Sequence, residues 1–155
     1  MVSPSQSISL KNLYEKDFYL WLLTMAKLLK EQRFNEVDLE NLIEEIEAMG
    51  RSEKREIESR LITILEHLLK LIYWQAEKEN NARGWRNTIV EQREQLNLVL
   101  KDSPSLKVRL DEIFGVCYQK AIKIIIRKYE LPATMFPSEP CFSLEDVLNA
   151  DYFPE

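Results

Sequence analysis

The sequence predicts an all-α fold, an up-down bundle of about five helices with an extended C-terminal strap and a short terminal helix. Three observations predict it. Apolar residues recur at spacings of three and four over most of the 155 residues. Only 3 glycines are present, few for the turns and bulges of a sheet. Leu, Ile, Glu and Lys dominate the remainder, a composition that leans toward helix. With 45% hydrophobic residues the chain can bury one core, expected as a single domain over residues 14–155.

Each element has its own signal. Residues 1–13 start polar, with Pro4 among serines, and read as a mobile leader. Phe18, Trp21, Leu22, Met25 and Leu29 then mark a first helix over about 14–32, with Asp17 placed to cap it or to sit in its first turn. Asp38 precedes an apolar stripe of Leu39, Leu42, Ile43, Ile46 and Met49, and Gly50 follows where a helix would stop. A third helix restarts at Ser52 and Glu53, buries Ile57, Leu61, Ile64, Leu65, Leu68 and Ile72, and ends between Gln75 and Lys78. The stretch EKENNARG reads as a loop, because adjacent asparagines and Gly84 favour turns. The fourth helix turns Trp85, Ile89, Leu96 and Leu100 inward and stops before DSPS, where Ser103 can cap the next helix and Pro104 can open it. The fifth runs to about Tyr129 with Leu106, Leu110, Ile113, Cys117, Ala121 and Ile124 inward. Residues 131–155 change texture: Pro132, Pro137 and Pro140 impose extended chain, yet Met135, Phe136 and Phe142 ask for burial, so a strap packed on the bundle is expected. Ser143 and Asp146 stand at capping-box spacing for a last short helix.

In that order, YEKDFYLW, DLENLIEEIEAMGRSEKREIESRL, EHLLK, RGWRNTIVEQREQL, SPSL and LPATMFPSEPCFSLEDVLNADYFP resemble the helical family catalogued as domain of unknown function number twenty-nine, whose members are mostly cyanobacterial. The resemblance runs from Tyr14 to Pro154 and implies a helical fold but no activity. Members often place Trp directly after the lysine of HLLK; here Leu71 stands there and Trp74 follows.

Charge and composition exclude several classes of function. A net charge of -5 and a pI near 5.1 disfavour a broad grip on a phosphate backbone. No membrane span is expected, because no run of about 18 uncharged apolar residues exists. The first residues lack the basic and apolar regions of an export signal, so a cytoplasmic location is expected. Cys117 and Cys141 make neither a disulfide framework nor a zinc site, and read as reduced thiols. No cofactor and no metal are expected. Glu40, Glu44 and Glu47 share one helix flank and could face a hard cation, but a solvated acidic face is the reading adopted; a di-iron bundle would need two histidines, and the chain has 1.

That one histidine, His67, stands seven places after Arg60, so on a helix the two side chains point the same way. They belong to a row of Glu53, Glu56, Arg60, Thr63, His67 and Trp74. An arginine shortly before a histidine on a bundle helix resembles the HEPN ribonuclease motif, in which histidine moves protons and arginine steadies phosphate charge. Six residues intervene here, the long end of that pattern, and Leu61 stands where a polar residue usually follows the arginine. In the structural reading, Glu56 pairs with Arg60 and His67 bonds Thr63 or a neighbouring helix. RGWRNTIVEQR opens the fourth helix with Trp85 and places Arg86 and Arg93, seven apart, on one side, residue types enriched at binding hot spots; the alternative is that Trp85 anchors the chain while both arginines pair with glutamates of the third helix. Lys120, Lys123, Arg127 and Lys128 suit the dipole at the end of the fifth helix.

The leading expectation is therefore a non-enzymatic module working through protein contacts, with a second copy of itself or another protein as partner and Trp74, Trp85, Arg86 and Arg93 as candidate binding residues. The alternative is a small metal-independent ribonuclease built on Arg60 and His67, with Arg86 as accessory. A regulatory module for a small anionic ligand stands third.

Overall fold

The structure, a computed structural model, describes the backbone of residues 4–154 and the side chains of residues 10–154. Six α-helices are present and, among the described residues, no strand: α1 Pro4–Lys16, α2 Phe18–Lys30, α3 Leu39–Tyr73, α4 Gln75–Asp102, α5 Leu106–Tyr129 and α6 Leu144–Leu148. Two 3-10 turns, Phe34–Glu36 and Ala133–Met135, complete them. Packing divides the chain into two compact units, Met1–Ser52 and Glu53–Glu155, and α3 contributes residues to each.

The first unit is built on Trp21, Met25 and Leu28, against which Leu10, Leu13, Tyr14, Val37 and Leu42 pack. The expected leader is α1 from Pro4 onward, and residues 1–3 of it lie outside the described chain. Its polar sequence hid the helix, which is held by the packing of Leu10, Leu13 and Tyr14 rather than by a strong apolar stripe. The expected helix over 14–32 is divided at Asp17, whose carboxylate accepts from the Leu20 N–H at 3.1 Å and caps α2. A left-handed Gln32 (φ 57) ends α2: Gln32 N–H returns to Leu29 C=O and Arg33 N–H to Leu28 C=O, so the last carbonyls are satisfied. Of the face expected inward, Phe18, Leu22 and Leu29 remain 43%, 41% and 38% exposed, and Leu28 takes the buried place instead.

The break expected at Gly50 does not occur. Gly50 has no left-handed φ, so it supplies no helix stop, and α3 continues through it. Arg51 spans the site by bonding Glu44 at 2.8 Å and lying 3.9 Å from Glu47. A glycine there costs about 1 kcal/mol relative to alanine, which 35 residues of continuous helix tolerate.

The second unit buries the seam read from the sequence. Ile57, Leu61, Ile64, Leu65 and Leu68 are inaccessible, and they meet Trp85, Ile89 and Leu96 of α4 and Leu110, Ile113, Cys117 and Ala121 of α5. Ile72, Leu100, Leu106 and Ile124 lie at its partly covered edge. The loop expected at EKENNARG is helix. Asn81 bonds the Glu77 carbonyl at 2.8 Å instead of turning the chain, and Gly84 keeps a right-handed φ. The chain turns earlier, at Trp74 (φ -96, ψ 67), and Gln75 satisfies the Ile72 carbonyl at 2.8 Å. Ser103 likewise ends α4, its N–H bonding Val99 C=O at 2.8 Å, and α5 starts at Leu106 without a side-chain cap.

The strap packs as its phenylalanines require. Phe136, Phe142, Leu144 and Val147 are buried, Tyr118 OH donates to Pro137 C=O at 2.7 Å, and Gln119 donates to Ser138 C=O at 2.7 Å. The reciprocal Ser143–Asp146 capping box opens α6.

Candidate functional site

Arg60 and His67 share a face of α3 but not a partner. Arg60 donates through Nε to Glu56 at 3.0 Å and through Nη1 to Gln92 of α4 at 3.1 Å, so the guanidinium ties two helices together. His67 Nδ1 lies 2.7 Å from the Thr63 carbonyl oxygen. A carbonyl only accepts, so Nδ1 carries the proton and Nε2 keeps the lone pair. Burial pushes the imidazole pKa below its ordinary value; the Thr63 bond opposes this, and the positive Lys70 and Lys128 reinforce it. A neutral imidazole fixed in one tautomer is suited to bracing a helix or accepting a proton, not to holding a positive charge beside phosphate.

The aromatic part of the row forms a cluster at the turn between α3 and α4. Trp74 stacks on Trp85 at 5.9 Å and tilts against Tyr129 at 4.8 Å. Between them lies Lys70, 5% exposed, its Nζ 5.3 Å from the Trp85 centroid and 5.4 Å from that of Tyr129. The rings thus cover a cation belonging to the chain itself. Lys70 went unremarked in the sequence, although a lysine inside LLKLIYW, on the most apolar turn of α3, was the available signal.

Arg86 and Arg93 do share a target, though not the glutamates of α3. Their Cζ atoms lie 5.5 Å and 5.0 Å from the Phe153 ring centroid in the strap. Arg93 is 2% exposed; its Nε donates to Val147 C=O at 2.7 Å and its Nη2 approaches Asp146 C=O at 3.4 Å, while Asn97 reaches Leu148 C=O at 3.3 Å. These carbonyls lie in the last turn of α6, where Asp146 C=O also accepts from Asn149 N–H at 3.2 Å and where a cation is favoured by the helix dipole. Arg93 is thereby the clamp of the strap on α4.

A groove of about 540 Å³ between α3 and α5 was not anticipated. Its wall holds Glu66, 8% exposed, whose carboxyl is pushed up by burial and pulled partly back by Lys128 and Lys70. The nearby Thr63 hydroxyl is committed to Ser59 C=O at 3.0 Å, and Cys117, pushed up to about 11 by burial, is a poor nucleophile. Among the described residues, no three His, Cys, Asp or Glu side chains converge as a metal site would need. Glu44 and Glu47 face Arg51, and Glu40 lies 3.8 Å from Lys11.

The first turns of α3 depart furthest from expectation. Of the stripe predicted inward, only Leu42 joins the core of the first unit. Leu39, Ile43, Ile46 and Met49 are 59%, 47%, 61% and 67% exposed, because three buried residues of α2 offer too narrow a surface to cover them. No helix among the described residues is long and apolar enough to cross a membrane.

Residues 13–153 match the family described as Domain of unknown function DUF29. No curated protein and no solved structure matches the chain.

Proposed function

We propose, for a chain that belongs to the DUF29 family, that it works as a protein-interaction module in the cytoplasm, without chemistry of its own. The observation that carries this reading is the apolar stripe Leu39, Ile43, Ile46 and Met49 exposed on a helix surface, the kind of patch that marks an interaction site and supplies the apolar centre of an interface. The ribonuclease alternative draws less support: Arg60 is occupied by Glu56 and Gln92, and His67 spends Nδ1 on its own helix. Trp74, Trp85, Arg86 and Arg93 serve the reading from within, by fixing the turn and the strap of the second unit.

The test is in-cell crosslinking of the wild type and Ile46→Glu, read by mass spectrometry, with purified samples of both assayed for cleavage of single-stranded RNA. The expected result is a crosslinked product that Ile46→Glu abolishes at an unchanged melting temperature, and no cleavage by either protein. Cleavage that Arg60→Ala and His67→Ala each remove, or identical crosslinks in both proteins, would overturn the reading.

A further inference from the structure

Gly50 has no reason within the chain to be glycine. Its φ is not positive, and a methyl group at its Cα would meet nothing within 4 Å, so alanine would fit and would favour the helix. Gly84 and Gly115 share that openness, but they lie off the apolar seams of α4 and α5. Gly50 differs in position. At about 100° per residue it falls on the centre line of the exposed stripe, in register with Leu39, Ile43 and Ile46. A missing side chain in the middle of an uncovered apolar stripe is what close approach by another helix requires.

We propose that the stripe is the contact surface of a homodimer, in which α3 pairs antiparallel with α3 of a second copy about a twofold axis between Glu44 and Glu45. The inference rests on the interaction-module reading and names its partner. The spacing argues for self-recognition: Leu39, Ile43, Ile46 and Gly50 are separated by four, three and four residues, the same in either direction. An isologous contact requires that residue i meet j while j meets i. Here Ile43 meets the partner's Ile46, and Leu39 seats over the partner's Gly50. At each end Arg51, which bonds Glu44 of its own helix, stands about two residues out of register with the partner's Glu40 on the same flank, so its guanidinium lies among carboxylates of both copies. Near the axis Glu44 and Glu47 are already held by Arg51 of their own helix, which limits their repulsion. Four side chains left about half to two-thirds exposed offer on the order of 400 Å² per copy. Together the two copies would bury about 800 Å², less than the roughly 1,200–2,000 Å² of a standard specific interface, so the dimer is a weak, reversible one, to be sought at micromolar and higher concentrations.

Sedimentation velocity of the full chain under reducing conditions, from about 5 to about 500 µM, brackets that range. The wild type is expected to pass from monomer to dimer. Gly50→Leu, which keeps the helix but fills the gap, and Ile46→Glu should each dissociate at least tenfold more readily. Gly84→Ala should dimerise as the wild type does. Should Gly50→Leu melt below the wild type, Gly50→Ala replaces it: it should melt no lower yet bind its twin more weakly. A wild type that stays monomeric throughout, or Gly50 variants that dimerise undiminished, overturns the proposal. If crosslinking then shows Ile46→Glu losing a different protein, the module reading survives and only the second copy falls.

Discussion

His67 illustrates how one hydrogen bond fixes both the chemistry and the energetics of a side chain. Because Nδ1 donates to Thr63 C=O and the ring is largely buried, replacing it with alanine removes packing and the side-chain hydrogen bond to that carbonyl. His67→Ala should lose about 1–3 kcal/mol of stability in denaturant melts at neutral pH. The pH dependence has a definite sign. The folded pKa lies below the unfolded value of 6.5, so the unfolded chain binds the proton first as pH falls. The stability His67 contributes is therefore complete above 6.5 and declines as pH falls toward the folded pKa. The gap between wild type and His67→Ala should narrow over that window, and a gap that widened on acidification would show that the protonated ring is the one the fold prefers. Glu66 on the same helix acts oppositely, since burial raises its pKa and its ionisation above 4.5 disfavours the folded state. Comparing variants at each pH, not the wild-type curve alone, separates the two.

At the scale of elements, α4 shows both what a glycine costs and what the sequence concealed. Gly84 sits inside a helix, exposed, with open space where a Cβ would go and no positive φ. Gly84→Ala should raise stability by about 0.5–1 kcal/mol in the same melts, and a loss instead would mean that the helix is broken there, as EKENNARG suggested. The seam of the second unit was legible because burial on two sides forces apolar residues at every helical repeat, from Ile57 to Leu68 and from Leu110 to Ala121. Helix ends were less so. Asn81 satisfies its amide on its own helix, and a tryptophan without any turn propensity makes the turn at Trp74 because Trp85 and Tyr129 hold its ring. The sequence likewise marks Arg93 as a candidate binding residue, but its carbonyl partners lie 53 and 54 positions away, beyond any local pattern. Glu66 and the groove it lines arise only when α5 is laid beside α3.

For the molecule as a whole, the decisive asymmetry is between the two units. The second encloses a contiguous core of buried residues drawn from α3, α4, α5, the strap and α6, whereas among the described residues the buried core of the first is Trp21, Met25 and Leu28. Three side chains at about 2 kcal/mol each fall far short of the chain entropy of about 50 residues, so the first unit is not expected to be self-sufficient. The second should be, provided it keeps its strap. Phe136, Phe142, Leu144 and Val147 are buried there, and Arg93 would be left in an exposed notch if residues 131–155 were removed. A chain of residues 53–155 is therefore expected to melt cooperatively with full helical circular dichroism, residues 1–52 to be largely unfolded, and residues 53–130 to lose the sharp transition. Cooperative melting by residues 53–130 at the temperature of residues 53–155 would show that the strap rests on a bundle already complete without it. A folded, monomeric fragment of residues 1–52 would show that the exposed stripe of α3 needs no second surface to cover it.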